Sequence, residues 1–214
     1  MRIIFLLITF SLLSLKIGAK NLLDLNQIDN NNVPTGWELK VRHGKADIHT
    51  DKKSLCMYSD DASFCIEHPI KSNVDDTPYL IWECKIEELP KEGSIYGPDD
   101  QAAQLFVGFD NKRCISYVWS TVDSIDSQES YYIPWIVNNK ILVIKSGDQD
   151  IGKWIQFSRD IRTDYKRLFD ENPPNDLTIT GIRLQINSQH SNTTARSCTR
   201  LIELTKDIKS LPSH

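Results

Sequence analysis

The sequence is short of basic residues: its 214 positions carry 25 Lys and Arg against 29 Asp and Glu, a formal charge of −4. Nucleic-acid binding is dominated by phosphate neutralisation with clustered Lys and Arg, so this balance argues against nucleic acid as a partner, and against anionic membrane surfaces. Also missing are a Gly-rich phosphate loop, a nucleophile elbow, a His-Glu-x-x-His zinc helix and an EF-hand calcium loop. There is no Cys-x-x-Cys and no paired histidine spacing, which argues against zinc. His43, His49, His68, His190 and His214 are scattered, so a Ser-His nucleophile has no local support. The chain shows neither a repeat of fixed period nor a domain linker.

The first residues have the layout of a secretory signal peptide. Arg2 supplies the positive start, Ile3 to Leu15 the apolar run and Ile17-Gly18-Ala19 the small-residue end. The run is shorter than the roughly 20 residues of a membrane span, so cleavage after Ala19 is expected, giving an exported chain, periplasmic or secreted, with no membrane insertion. The expected organisation is a signal peptide over 1–19, a lead-in segment over 20–33, one domain over 34–205 and a tail over 206–214. The signal segment holds Arg2 and Lys16 but no acid, so 23 basic residues then face 29 acidic ones, about −6. The remaining chain is long enough for one domain with a substantial core.

From Gly36 onward, short alternating runs are separated by turn residues, the pattern of an all-β sandwich. Strands are expected at 37–42, 46–50, 54–59, 63–70, 79–86, 103–109, 114–121, 140–145, 154–158, 178–187 and 197–205, with 122–139 read as a long connection. Ala103 to Phe109 and Cys114 to Thr121 form the clearest hairpin, in which Leu105, Val107 and Phe109 share one face and Tyr117 and Trp119 share parity with each other. One segment has helical spacing instead: Ile161, Tyr165, Leu168 and Phe169 fall at i, i+4, i+7 and i+8, which predicts one short amphipathic helix over 160–169. Pro173-Pro174 stops it.

Five cysteines in an exported chain invite disulfides. Cys56 and Cys65 flank Ser59-Asp60-Asp61-Ala62, and a two-residue turn at Asp60-Asp61 would set them opposite each other on adjacent strands, so a Cys56–Cys65 bridge is the expectation. Cys84, Cys114 and Cys198 lie in apolar or alternating runs and read as small core residues.

Three polar groups are candidates for chemistry. Asp99 and Asp100 precede a strand and serve either as turn caps or, with backbone carbonyls, as ligands of calcium, a cation that prefers oxygen. Trp119 ends the hairpin, and Tyr131, Tyr132 and Trp135 fall in the long connection; exposed rings of this kind stack on sugar faces, whereas buried ones anchor the core or loop. Trp37, Trp82 and Trp154 read as core. Arg159, Asp160 and Asp164 form a polar knot in which Asp160 caps the helix and an arginine pairs with an acid.

Taken in order, Pro34-x-Gly36-Trp37, Tyr79-Leu-Ile-Trp82-Glu-Cys-Lys85, Asp99-Asp100-x-Ala-Ala-x-Leu-Phe-Val-x-Phe109, Tyr117-Val-Trp119-Ser120, Gly152-Lys-Trp154 and Arg159-Asp160-x-x-x-Asp164-Tyr165 resemble the exported bacterial proteins grouped as domain of unknown function 3047. The resemblance spans about Pro34 to Leu204. It implies a lectin-like jelly-roll or galactose-binding-like β-sandwich, without an assigned reaction. The chain departs from the pattern at Asn187-Ser188-Gln189-His190-Ser191-Asn192, where an Asp-x-Asp-Asn segment is expected, so the acids of any metal site there are missing.

Three functions fit these residues. A non-catalytic binding module for a glycan or another envelope component would use Trp119, Tyr132 and Trp135 for stacking and Asp99 and Asp100 as acceptors or calcium ligands. A hydrolase would pair Asp99 or Asp100 with a second carboxylate such as Asp160 across a cleft. An envelope interaction protein would present a flat apolar patch.

Overall fold

A computed structural model of the chain describes residues 20–134 and 136–208. The expected signal peptide, Trp135 and the end of the expected tail lie outside the described residues. Two sheets pack face to face. The six-stranded sheet contains β11 (Ile155–Asp160), β6 (Tyr79–Glu88), β13 (Thr194–Thr205), β4 (Leu55–Asp60) and β3 (Asp47–Thr50) in that order, and β1 (Lys20–Asn21) also pairs with β13. The seven-stranded sheet runs β2 (Glu38–His43), β5 (Ser63–Asn73), β12 (Thr178–Asn187), β7 (Gln101–Phe109), β8 (Arg113–Ser120), β10 (Val137–Ser146) and β9 (Gln128–Ile133). All neighbours are antiparallel except β8 and β10, which run parallel. The expected all-β sandwich with one short helix is the observed architecture.

Alternation decides which side chains meet between the sheets. On β7 and β8, Leu105, Val107, Phe109, Tyr117 and Trp119 all point inward and are buried. Trp82 on β6 faces Tyr117 at 5.4 Å and stacks on Phe157 of β11 at 5.1 Å, and Trp119 meets Phe157 edge-on at 6.3 Å. This aromatic seam crosses the interface, and each pair adds about 0.5–1.5 kcal/mol beyond its buried area. Leu22, Leu23 and Val33 of the lead-in segment are buried in the same core. Trp37 is buried as expected, with Nε1 donating to Leu22 O at 2.9 Å. Trp154 differs from expectation: it is only half-buried on the outer side, with Lys85 and Arg200 over its ring at 5.4 and 4.5 Å.

The expected hairpin around Asp60-Asp61 is not a hairpin. Asp61 takes a left-handed conformation (φ 44°), and the chain leaves β4 in one sheet to enter β5 in the other. The crossover is fixed by Ser59 Oγ, which donates to Ala62 O at 2.7 Å and lies 2.8 Å from Ser188 Oγ. A Cβ on Gly44 would come within 2.9 Å of both Ala62 Cβ and Asp61 O, so the close approach of these two turns requires glycine there. Because β4 and β5 do not pair, Cys56 and Cys65 cannot be bridged. Cys56 is bonded instead to Cys198, its direct Cα partner on β13, and Cys65 is free and buried.

The helix α1 (Ile161–Phe169) begins where the sequence placed it. Asp160 is its N-cap, accepting from Thr163 N at 3.1 Å, and Asp170 ends it in a left-handed conformation. Ile161, Tyr165 and Leu168 bury the apolar face against the end of the sandwich, with Tyr165 edge-on to Phe109 at 5.4 Å. No helix among the described residues is long and apolar enough to cross a membrane.

Candidate functional site

The side of the seven-stranded sheet turned away from the core carries rows of side chains that cross the strands. Directly opposed residues of neighbouring strands point to the same side, and one such row passes through all seven strands: Glu129, Ile141, Ser116, Phe106, Arg183, Glu67 and Glu38. At its centre Arg183 lies 5.0 Å over the Phe106 ring and pairs with Glu67 at 2.6 Å. Glu38 and Glu67 oppose each other as like charges, and each has its own cation, Lys40 at 2.8 Å for Glu38 and Arg183 for Glu67.

The next row is Tyr131, Asn139, Cys114, Gly108, Gly181 and Pro69. Two glycines side by side leave the backbone bare beside the Arg183–Phe106 pair, so the face dips there. Tyr131 stands at the far end of this row, three strands from Gly108 and 57% exposed. Ser116 Oγ donates to Asn139 Oδ1 at 2.8 Å, tying the two rows together. On the far side of the central row stand Val143, Val118, Gln104, Gln185, Cys65 and Lys40.

The segment between β6 and β7 covers part of this third row. Ile95 packs on Val118, Ile141 and Val143. The segment is pinned by Asp123, whose oxygens accept from Ser94 Oγ at 2.9 Å, Ile95 N at 2.7 Å and Ser120 Oγ at 2.7 Å. A Cβ on Gly93 would fall 2.2 Å from Asp100 O, so glycine is needed where the segment doubles back. Tyr96 is held at the rim, with its hydroxyl donating to Gln128 O at 3.2 Å and its ring 62% exposed.

Apart from Tyr131, the residues singled out from the sequence lie elsewhere. Asp100 is fully buried and anchors the β12–β13 connection, accepting from Ser191 N and Ser191 Oγ, both at 2.6 Å, and from His190 N at 3.2 Å. Asp99 is exposed and accepts from Gln101 Nε2 at 3.1 Å. Its neighbour therefore points away from it, as an extended backbone dictates. Among the described residues, no group of three or more His, Cys, Asp or Glu side chains is gathered that could hold a metal ion. Trp119 is a core residue rather than a stacking platform, 1% exposed with Nε1 donating to Gly147 O at 3.0 Å. Tyr132 is exposed, but it opposes Asn138 and alternates to the side opposite Tyr131. Trp135 lies outside the described residues.

The polar knot has the expected pairing. Arg159 grips Asp164 with two hydrogen bonds, one from Nε at 2.8 Å and one from Nη2, and Tyr117 OH donates to the same carboxylate at 2.8 Å. Asp164 is buried, and its hydrogen bond with the guanidinium raises the Arg159 pKa. Asp160 and Asp99 stand at opposite ends of the sandwich, separated by about the length of β7, roughly 30 Å at 3.3 Å per residue. They cannot act on one bond.

What sequence reading missed is most of the outer face: Phe106, Arg183, Glu67, Asn139 and Tyr96. A signal existed in β7, where assigning Leu105, Val107 and Phe109 inward leaves Gln104, Phe106 and Gly108 as the alternate set. The four central strands β12, β7, β8 and β10 put amides, hydroxyls, an arginine and an aromatic ring on this face, and its carboxylates sit on the flanking strands. A separate groove of about 510 Å³ opens between the edge strands β2 and β3, lined by Asn32, Lys45, Asp47, Tyr58 and Asp60 among others. Its Leu39 stands between Glu38 and Lys40 on β2, on the side turned toward the core.

Solved structures share this architecture. The xyloglucanase domain of NopAA, a type three effector from Sinorhizobium fredii in complex with cellobiose, superposes with a TM-score of 0.50 at 10% identity, covering 79% of this chain and 90% of that one. The endoglucanase cel12A from Rhodothermus marinus gives a TM-score of 0.47 at 6% identity, covering 78% and 97%. A family 29 carbohydrate binding module from Piromyces equi gives 0.35 at 10% identity, covering 84% and 87%. At such identities only the fold is shared, and only the first superposition is close enough to carry even that. No curated protein matches the sequence. The family signature described as "Protein of unknown function (DUF3047)" matches residues 27–203, nearly the whole described chain, and the protein belongs to that family.

Proposed function

We infer that the protein is an exported binding module whose outer seven-stranded face holds a neutral glycan without cleaving it. The observation that carries this reading is the dip at Gly108 and Gly181, beside Phe106 and Arg183, with Tyr131 at the far end of the same row. Bare backbone lets a flat ring approach closely, an aromatic face stacks on the apolar side of a sugar, and Arg183, Glu67 and Asn139 supply donors and acceptors for its hydroxyls. The cellobiose held by the xyloglucanase domain of the same fold makes a glucan a reasonable first ligand. Glycoside hydrolysis needs two carboxyl groups facing one bond, one of them with a raised pKa. Glu67 is tied to Arg183 and Glu38 to Lys40, which holds the Glu38 carboxyl below its ordinary range. Each is therefore placed as the partner of a cation.

Export is part of the same reading and is supported by the apolar N-terminal run and by the Cys56–Cys198 bridge, since such bonds persist in oxidising compartments. The test is a thermal-shift screen of the mature chain against soluble glycans, because a ligand that binds only the native state raises the melting temperature. A rise with a neutral glycan that is lost in Phe106→Ala supports the reading. The same rise in wild type and Phe106→Ala, or none with any glycan, would sink it.

A further inference from the structure

A strand at the edge of a sheet has one side of its backbone unpaired, and such an edge attracts further strands unless it is guarded. β2 carries Glu38, Lys40 and Arg42, β3 is short and its Ile48 O accepts from Asn32 Nδ2 at 3.0 Å, and β11 runs straight into α1. β9 differs: it pairs with β10 without a bulge, carries Glu129 as its one charge and contains no proline. Tyr131 and Tyr132 stand exposed on its two sides. The register fixes which backbone groups face outward. Val143 N donates to Ser127 O at 3.0 Å, one step before the Gln128–Leu142 pair, so the odd-numbered residues of β9 bond to β10. The even-numbered residues then turn N–H and C=O to the free edge. Two contacts agree with this: Ser130 N donates to Glu129 Oε1 at 2.7 Å rather than to β10, and Gln128 O accepts from Tyr96 OH at 3.2 Å.

We propose that β9 pairs with β9 of a second copy of this chain, antiparallel about a two-fold axis that passes through the sheet at Tyr131. Such an axis keeps the outer faces of both copies on one side. It sets Ser130 against Tyr132 of the second copy, Glu129 against Ile133 and Tyr131 against its own counterpart. Ser130 and Tyr132 then exchange their outward main-chain bonds, the Glu129 carboxylate giving up Ser130 N. The next outward pair is Gln128 with Pro134, which has no N–H to give, but Gln128 O already has its donor in Tyr96. The strand thus lacks a donor at the point where its copy needs none, which favours a second copy over an unrelated extended segment. Charge agrees, because the one carboxylate on the strand faces Ile133 and not itself. Centring the axis on Tyr132 would set Ser130 O against Pro134 without a donor, and centring it on Ser130 would bring Tyr132 onto the carbonyl that Tyr96 covers. The pairing does not depend on the glycan reading; where that reading holds, the two rows that end at Tyr131 become one across the axis.

The test is sedimentation of the full mature chain over a concentration series, which reads its mass. Tyr132→Pro removes an outward N–H and leaves the bonds to β10 in place, since proline is tolerated on the solvent side of an edge strand. Wild type should reach twice the single-chain mass, and Tyr132→Pro should need at least about tenfold more protein to do so. Register is read by cross-linking. Opposed residues that share no hydrogen bond have Cα atoms about 4.5 Å apart, so Tyr131→Cys should join two copies by a disulfide under mild oxidation and Ser130→Cys should not. A wild type that keeps the single-chain mass at every concentration overturns the proposal. So does a dimer that Tyr132→Pro leaves unchanged, or one that Ser130→Cys joins and Tyr131→Cys does not. Should Tyr132→Pro fail to fold, the wild-type mass and the two cysteine variants decide the matter.

Discussion

The carboxylate of Asp164 on α1 accepts a hydrogen bond from the hydroxyl of Tyr117 on β8 at 2.8 Å, so a helical side chain reaches through the core to the inner side of the seven-stranded sheet. Arg159 completes the group from β11. Removing the acid leaves a guanidinium and a phenol without their shared partner. Asp164→Ala should destabilise the fold by about 3 kcal/mol, read from urea unfolding, and Asp164→Asn by less. A change within about 0.5 kcal/mol would mean that the group is an ornament of the helix end.

Stability should fall in alkali for a reason visible in the core. Burial, with Glu83 alongside, pushes the Cys84 thiol up to about 12 from its ordinary 9.0, and burial with Asp164 raises the Tyr117 phenol well above its ordinary value. Both groups are neutral in either state below pH 9. Above it the unfolded chain releases the thiol proton while the folded chain keeps it, so stability drops by about 1.4 kcal/mol per pH unit for Cys84 until the pH passes 12. The phenol adds to the slope from about pH 10. Urea midpoints between pH 8 and 11 should decline, and Cys84→Ala should show a shallower decline from a lower starting point.

On the outer face, Phe106→Ala and Tyr131→Ala should each weaken neutral-glycan affinity about tenfold, the scale of one lost aromatic contact. Trp119→Phe is the contrast, since its ring is interior and its loss should lower stability with affinity kept. Isothermal titration separates the two effects. Equal affinity in all three variants would remove the face from consideration.

Reduction should be costly. The Cys56–Cys198 bond spans 142 positions, and closing so long a loop restricts the unfolded chain, so Cys198→Ala should lose about 2–5 kcal/mol. Cys65→Ala should lose only what its small buried side chain contributes. Peptide mapping without reductant should join the Cys56 and Cys198 peptides and leave Cys65 as a thiol that alkylates only after unfolding.

Much of the scaffold is legible in the sequence because its causes are local. Alternation marks Tyr79 to Glu88 and Thr178 to Asn187, helical spacing marks Ile161 to Phe169, and Asp160 signals the cap. The neighbourhood of Asp61 is not legible: the same four residues serve a hairpin or a crossover, and the choice depends on Ser59 meeting Ser188 at 2.8 Å, a contact from the other end of the chain. The error in the disulfide follows from that one turn. Gln128 to Ile133 escaped notice because a polar start and an adjacent tyrosine pair blur its alternation, although it forms the edge strand β9. The candidate site is the least legible part. Glu67, Phe106, Arg183 and Tyr131 come from four separate strands, and only the register brings them into neighbouring rows.

The row that ends at Tyr131 is also a ruler. From β9 to Pro69 on β5 it crosses five inter-strand gaps of about 4.8 Å, roughly 24 Å in all, and it runs across the strands rather than along them. An oligosaccharide lying in it would therefore be measured by the spacing of the sheet, gaining contact with each further unit until it reaches that length. Beyond it, added units would project past the edge of a single copy and leave its affinity unchanged.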